Sequence, residues 1–509
     1  MVLIKKSFFL YFFYLLCFLV SIYQTLHFSL NPDSSWLITA AEKMLSGEIL
    51  GVDILESNPP ASILIYVPGI LFARLFSLPS EIGVSISIYL LTLFVCFFFQ
   101  YISRKTNIIG FLPTAIVCLF LVFITFVYFQ LFFSQREHFA VLLAIPYILI
   151  SSVRLSERKQ SLSSGIYIIS GCCMGLTGCI KPVFLLVPLF LTLSCLFSTR
   201  NWRSLFVIEN LSAGFIFLLY VAGVLIFFNA YLTFLEELLV SAYFSRVQNW
   251  SRVFFSEGFL YIIMAVLYVI MSLFFKQSIL QKQFFIASIA FYLTFLIQRK
   301  GFFYQVYPAL VTLYLATLLL CVQVVQKKIL SLHSVIIKIP VLIIILYTMS
   351  ATASGIFSQW NVVTRPTQLE AYIFKNFSHP KMLSLAGKIG AGFPLARNVS
   401  AQWVGSVHSI FTAPHLSLDK QRYLLAGGYD ADFLVPEKWL IKRVCKDIYE
   451  KEPTLIVLEH LPKWSAFIFS QPCVQDVMSN YHLTTTLDQT DLWVKKENIP
   501  IFDKTEHPL

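Results

Sequence analysis

The chain has 509 residues, of which 57% are hydrophobic and 13% are charged, and its mean hydropathy is +0.75. This composition excludes an ordinary soluble domain and indicates that much of the chain lies in a lipid bilayer. A net charge of +11 would suggest a nucleic-acid partner in a soluble protein. We attribute the excess here to cationic loops beside anionic lipid, because no basic, aromatic-interleaved surface stands apart from the apolar segments.

Apolar runs with few or no charges recur along the first 357 residues, and most are long enough to cross about 30 Å of hydrocarbon as helices. The first run follows Lys5 and Lys6 and has no small-residue cleavage site after it, so we interpret it as a retained helix. About eleven spans are predicted, at 7–29, 82–101, 108–133, 139–153, 163–180, 182–199, 205–229, 258–275, 284–297, 302–325 and 339–357.

The distribution of Lys and Arg predicts a cytoplasmic N-terminus. With that orientation the inner loops hold fourteen of these residues and the outer connections eight. The count requires that the apolar stretch 61–78 does not span, which fits its Pro68, Gly69 and Arg74. Residues 30–81 are therefore predicted to form one outer excursion with juxtamembrane helices.

From Asn361 onward the composition is that of a globular domain, with short apolar runs between proline, glycine and charged clusters. We predict a membrane domain over 1–357 and a soluble α/β domain over 358–509, on the non-cytoplasmic side. Eight of the ten cysteines lie inside apolar runs. Cys445 and Cys473 are the pair in the polar tail, and a disulfide or two free thiols are equally compatible with the sequence.

The first part of the outer excursion, from Asn31 to Pro60, holds five acids against one lysine. For Glu42, Glu48 and Glu56 we favour a solvated acidic face. Asp33 differs because it follows the first span directly, where partial desolvation would raise its pKa and make it a better general base. The alternative is that Asp33 caps the helix that begins at Ser34.

Three outer connections carry cations, against the positive-inside tendency. Charges at such positions usually have a partner, and a lipid phosphate at headgroup depth is the natural one. The alternative is that they are interface anchors whose side chains extend toward the headgroups. The connections read Gln135-Arg136-Glu137-His138, Lys181-Pro182 and Gln298-Arg299-Lys300-Gly301-Phe302-Phe303-Tyr304.

With these residues the chain resembles the GT-C superfamily of membrane glycosyltransferases, which includes protein O-mannosyltransferases and lipid A aminoarabinose transferases. The matching parts are Asp33 after the first span, the stretch from Ala40 to Glu48, and Asn58-Pro59-Pro60 before an interfacial helix. The Arg-Glu-His and Arg-Lys-Gly-Phe-Phe-Tyr turns are similar to those of bacterial members.

The resemblance implies transfer of a sugar from a polyprenyl-phosphate donor to a hydroxyl acceptor, with inversion at the anomeric carbon. The acceptor would be a glycan, a lipid or a protein of the cell envelope. Asp33 would be the general base, and Glu137 a second acid that pairs with Arg136 or holds the acceptor. The residues assigned to the donor phosphate are Arg136, Arg299, Lys300, Lys181 and Tyr304, and those assigned to the acceptor side or the loop are His138, Asn58 and Glu42.

Two departures from the family pattern matter. Many relatives carry two adjacent acids where this chain has Asp33-Ser34, so the sequence predicts no metal ligands and leaves the use of a divalent cation open. Asn58 replaces a Lys or His that some relatives use for phosphate. The charge asymmetry fits a multi-pass protein of a bacterial inner membrane with a periplasmic tail, and a protein of the endoplasmic reticulum membrane would give the same pattern.

Two other classes of function stay open at this point. A lipid-linked sugar transporter would need charges buried midway through its spans, and Glu209 is the one charge in that position to consider. A non-catalytic scaffold would need no outer cations.

Overall fold

The computed structural model of the chain describes residues 30–124, 132–156, 162–238, 248–326, 367–410 and 435–498, with isolated positions between 12 and 23. The chain divides into two compact units. Unit 1 comprises Met1–Leu30, Asn58–Phe227 and Gln248–Val362, and unit 2 comprises Asn31–Ser57, Phe228–Val247 and Val363–Leu509. A boundary at residue 357 therefore leaves out two earlier segments that belong to the second unit.

Helices dominate both units. In chain order they are α1 (Pro32–Leu45), α2 (Ala61–Leu64), α3 (Val67–Leu75), α4 (Ser80–Thr106), α5 (Phe111–Phe123), α6 (Arg136–Leu155), α7 (Ser164–Ile180), α8 (Leu186–Thr199), α9 (Ile208–Phe227), α10 (Asn229–Leu238), α11 (Trp250–Arg252), α12 (Phe259–Phe274), α13 (Ile279–Gln298), α14 (Phe303–Gln326), α15 (Gln368–Asn376), α16 (Leu395–Asn398), α17 (Val435–Lys451), α18 (Pro462–Phe469) and α19 (Pro472–Met478). Short 3₁₀ segments at Pro182–Leu185 and Trp202–Phe206 precede α8 and α9.

Six helical segments in the described part of the chain are long and apolar enough to cross a membrane. They are Ser80–Thr106, Arg136–Leu155, Pro182–Thr199, Ile208–Phe227, Ile279–Gln298 and Phe303–Gln323. Helices α5, α7 and α12 are apolar but shorter, and so is the α2–α3 pair at Ala61–Leu75. The predicted runs at 7–29 and 339–357 fall largely or wholly outside the described residues, so the count of about eleven spans stays a prediction.

Two predicted spans begin earlier than the apolar pattern indicated. The runs 139–153 and 284–297 belong to α6 and α13, which have 20 residues each. The interpretation of Arg136, Glu137 and His138 as part of a connection is wrong, because they form the first turn of α6. All three side chains are buried, so they belong to the interior of unit 1 and not to an exposed connection.

Helix α6 lies at the centre of unit 1, where it packs against α4, α7, α8, α13 and α14. Nearly all of its side chains are buried. Helix α9 has the opposite character, since its apolar side chains are mostly exposed. A surface of this kind is suited to lipid and not to water.

Small residues allow α7 and α9 to pack closely. A Cβ atom on Gly171 would overlap the carbonyl of Glu209, and one on Gly175 would lie 2.7 Å from the carbonyl oxygen of Ala213. Such four-residue spacing of small side chains is typical of helix pairs in membranes. It places Glu209, in the first turn of α9, beside α6, where Arg154 Nε and Nη2 each donate to its carboxylate at 2.9 Å. The charge on which a transporter would depend is thus at a helix end and ion-paired.

Unit 2 contains a five-stranded sheet in the order β2-β1-β3-β5-β4. The strands are β1 (Lys381–Ser384), β2 (Gln402–Trp403), β3 (Leu455–Glu459), β4 (Tyr481–Leu487) and β5 (Thr490–Lys495). The first three are parallel, and β5 is antiparallel to both β3 and β4. The apolar runs noted in the tail are β1 and the central, buried β3. A disulfide between Cys445 and Cys473 joins α17 to α19.

Candidate active site

Three parts of unit 1 meet at one polar cluster. They are the first turn of α6, the end of α7 at Lys181 and the turn between α13 and α14. Lys181 forms an ion pair with Glu137, and its Nζ donates to Gln298 Oε1 at 3.3 Å. Gln305 Nε2 donates to the same oxygen at 3.2 Å. The structure therefore gathers residues that are more than 160 positions apart in the sequence.

The Glu137–Lys181 ion pair is almost fully desolvated, with side-chain exposures of 1% and 9%. A buried pair of this kind strengthens each partner's interaction with further charges, because the surrounding dielectric is low. The sequence suggested Arg136 as the neighbour of Glu137 and did not predict Lys181. Glu137 also lies in the first turn of α6, at the positive end of the helix dipole.

Arg136 and His138 flank this carboxylate and are buried as well. The His138 ring lies edge-on to Phe133 and Tyr307, with centroids 5.6 Å and 5.7 Å away. Neither of its ring nitrogens has a hydrogen-bond partner among the described residues. A buried histidine held by aromatic edges in this way is positioned by packing, and its nitrogens are available to a ligand.

The turn after α13 presents two more cations. Arg299 is the C-cap of the helix in the left-handed region, with φ of 48°. Its guanidinium lies 4.5 Å from the centroid of the Trp250 ring, and its Nε donates to the carbonyl of Gln248 at 2.7 Å. Lys300 follows and is buried. We call Arg136, Lys181, Arg299 and Lys300 the cation cluster.

Tyr304, which the sequence assigned to the donor phosphate, lies beside this cluster. Its ring centroid is 5.7 Å from Lys181 Nζ, within reach of a cation–π interaction. The ring also stacks on Phe302, with centroids 5.4 Å apart. Tyr304 and Glu137 thus hold Lys181 through different interactions, while Gln298 fixes its distance from the turn.

Asp33 belongs to unit 2, where it lies in the first turn of α1 and is half-buried. The suggestion that it caps the helix is wrong. Helix α1 begins at Pro32, and its N-cap is Asn31, whose side-chain oxygen accepts from the backbone N–H of Asp33 at 2.9 Å. Because Asn31 does the capping, the Asp33 carboxylate is not required for it.

The other acids of the 31–57 segment are not a solvated face, contrary to the expectation from composition. Glu42 receives two hydrogen bonds from the guanidinium of Arg397, at 2.7 Å and 3.1 Å. Glu56 is buried and accepts from Trp36 Nε1 at 2.6 Å. Lys43 pairs with Glu48, and burial lowers the pKa of its amine. The segment is part of the core of unit 2.

Asn58, the remaining residue that the sequence singled out, is half-buried in unit 1 just before Pro59. Gln305 and Tyr307 were missed, since neutral residues inside an apolar span give no local signal of a site. Within the described ranges, no three His, Cys, Asp or Glu side chains are grouped so that they could hold a metal ion.

No protein-family model matches the chain, and no curated protein matches its sequence. Two solved structures of ArnT from Cupriavidus metallidurans are similar to it. The one bound to undecaprenyl phosphate has a TM-score of 0.52 at 14% identity, covering 99% of this chain and 100% of ArnT. The apo structure has a TM-score of 0.49 at 13% identity, covering 96% and 98%.

The first of these matches extends over both units. At 14% identity the likeness is one of fold. The chain therefore has the fold of ArnT.

Proposed function

We propose that this chain is a GT-C membrane glycosyltransferase that moves a sugar from a polyprenyl-phosphate donor to a hydroxyl acceptor. The observation that carries the proposal is the cation cluster in unit 1, where Lys181 pairs with the desolvated Glu137, Arg136 and Lys300 are buried and Arg299 is half-buried. Cationic side chains at headgroup depth are suited to bind an anion such as a lipid phosphate. The match to an ArnT structure that holds undecaprenyl phosphate supports a polyprenyl phosphate as that anion.

In this proposal the donor phosphate binds to Arg136, Lys181 and the Arg299-Lys300 turn. During transfer the bond between the anomeric carbon and the phosphate oxygen breaks, and the donor phosphodiester becomes a phosphomonoester with one more negative charge. The cation cluster stabilises the charge that develops on the leaving group. Because Lys181 is held by Glu137 and Gln298, and Arg299 by Trp250, little reorganisation of these two cations is needed during the reaction.

Asp33 is the general base of the proposed reaction. It takes the proton of the acceptor hydroxyl as the oxygen attacks the anomeric carbon, on the face opposite the leaving phosphate, so that the configuration inverts. The half-burial of Asp33 and the capping of α1 by Asn31 support this role, since the carboxylate is not required for capping. His138 and Asn58 are proposed to contact the acceptor or the sugar.

The proposed location is the inner membrane of a bacterium, with transfer on the periplasmic face. The Lys and Arg distribution supports this orientation, and the Cys445–Cys473 disulfide fits an oxidising compartment for unit 2. The acceptor is then a glycan, lipid or protein of the cell envelope.

The test is Asp33→Asn in the purified full-length protein, assayed with undecaprenyl-phosphate sugars and envelope extracts as acceptor. Loss of a general base lowers kcat by about 10²–10⁴-fold. Undecaprenyl phosphate should still bind with unchanged affinity, because the cation cluster is intact. Asp53→Asn is the matched control, since Asp53 lies in the same segment and its side chain accepts from Ile49 N–H at 2.9 Å, as an amide oxygen also can. An Asp33→Asn protein with full transfer would remove Asp33 from the mechanism.

A further inference from the structure

A second polar site of unit 1 lies at the other end of α6. Arg136 begins this helix and Arg154 is in its last turn, so the two ends are about 27 Å apart along the axis. At the Arg154 end a cavity of about 220 Å³ opens between α6, α8 and α9. Its polar lining includes Tyr147, Arg154, Thr192, Arg203, Glu209 and Asn210.

A network of hydrogen bonds fixes the walls of this cavity. The Tyr147 hydroxyl lies 3.1 Å from Thr192 Oγ1, and it also bonds to Asn210. Asn210 Nδ2 donates to Thr192 at 3.1 Å and to the carbonyl of Ser204 at 3.2 Å. The polar groups of α6, α8 and α9 are therefore tied together, and the cavity has a defined shape.

The charge balance of the cavity favours an anion. Arg154 engages both oxygens of Glu209, so the single carboxylate in the lining is already neutralised. Arg203 then supplies an additional positive charge. Arg203 is one of the residues that line the cavity, and no described carboxylate forms an ion pair with it.

The surroundings of Arg203 place the cavity mouth at a membrane surface. The flanking Trp202 and Phe206 are 66% and 60% exposed, and their rings lie 5.9 Å apart. Exposed aromatic and cationic side chains at the end of an apolar helix are typical of the boundary between hydrocarbon and water. The exposed apolar face of α9 continues from this point.

We propose that this cavity binds the phosphate headgroup of an anionic phospholipid, with Arg203 as the main source of charge. Basic pockets between membrane helices are known to hold such headgroups. The volume is below the range of about 300–1,000 Å³ for drug-sized ligands, so it suits a headgroup whose acyl chains remain outside. The site is distinct from the cation cluster and does not require glycosyl transfer.

The experiment is native mass spectrometry of the full-length protein in detergent, titrated with phosphatidylglycerol or with phosphatidylcholine of the same acyl chains. The wild-type protein should retain phosphatidylglycerol preferentially. Arg203→Gln should weaken that binding by about tenfold or more, because a close cation is lost from the phosphate. Arg203→Lys should keep most of it. Arg200→Gln is the matched control, since Arg200 is an exposed arginine three residues away that does not line the cavity.

Several outcomes would overturn the proposal. Equal binding of the two lipids would show that negative charge is not recognised, and equal losses in Arg203→Gln and Arg200→Gln would indicate a diffuse basic surface. If millimolar inorganic phosphate displaced the lipid with the same dependence on Arg203, the ligand would be a free anion. Thermal unfolding without lipid, which should be similar in all four proteins because both arginines are exposed, separates these results from misfolding.

Discussion

Lys181 offers the sharpest test of whether the polar cluster of unit 1 is a site or only a structural ion pair. Lys181→Met leaves the Glu137 carboxylate, which is 1% exposed, without its strongest counter-charge. Breaking a buried pair by removing one partner costs about 3–5 kcal/mol. We expect a loss of thermal stability of that order together with loss of transfer, so the single variant alone cannot separate the two roles.

The double variant Lys181→Met/Glu137→Gln separates them, since it removes both charges together. Its stability should recover most of the loss, because replacing a complete buried pair by neutral residues is often nearly neutral. Its affinity for undecaprenyl phosphate should stay at least about tenfold below wild type, since a charge-assisted contact to phosphate contributes about 1.5–3 kcal/mol. Unfolding in detergent and lipid binding are the assays, and Lys276→Met, at an exposed lysine of unit 1, is the control. Wild-type affinity in the stable double variant would refute the assignment of Lys181 to the donor.

Three further predictions concern other parts of the molecule. Maleimide reagents should label Cys445 and Cys473 only after the disulfide is reduced. Loss of this disulfide, which closes a loop of 28 residues, should lower the stability of unit 2 by about 3–4 kcal/mol. Labelling of both thiols in intact cells would contradict a periplasmic tail. Arg397→Leu should destabilise unit 2 by about 1–3 kcal/mol, which faster proteolysis would detect, and the added substitution Glu42→Gln should restore part of this stability. An unchanged rate of proteolysis in Arg397→Leu would mean that the Arg397–Glu42 pair contributes little to stability. Arg136→Gln should lower the affinity for the donor by about tenfold or more, while the KM for the acceptor stays within about twofold of wild type. Equal effects on the donor affinity and the acceptor KM would argue against contact between Arg136 and the donor phosphate.

The membrane helices were predictable because long apolar runs have few physical alternatives. The start of α6 was not, since residues 136–138 are polar and yet buried in its first turn. Apolar patterns identify the segments that contact lipid or the protein core. They cannot identify the polar side chains of the same helix that are buried. The same limit explains α13, whose predicted run began five residues late.

The side-chain contacts between distant residues of unit 2 also could not be predicted from the sequence. The amine of Lys43 donates to the carbonyl of Gly405, 362 residues away, and Arg397 bonds to Glu42 across 355 residues. No local sequence pattern identifies such distant partners. The acidic composition of the 31–57 segment therefore led to its interpretation as a solvated loop. For Asp33 the opposite holds, because its position after the first apolar run could be read from the sequence, whereas the capping residue Asn31 could not.

Helix dipoles account for the sign of four charges in unit 1. Glu137 and Glu209 lie in the first turns of α6 and α9, and Arg154 lies in the last turn of α6. Lys181 caps the end of α7. Each of these four charges has the sign that its helix terminus favours, and together they form two ion pairs that join neighbouring helices.

Arg136 does not follow this rule. It is a cation at the positive end of α6, and it is 4% exposed. The helix dipole disfavours a cation there, and burial adds to the cost. The N–H groups at the start of α6 are suited to phosphate, and a phosphate bound beside them would offset both costs. Arg136 and the first turn of α6 are therefore the part of the cation cluster where the donor phosphate of the proposed reaction is expected to bind.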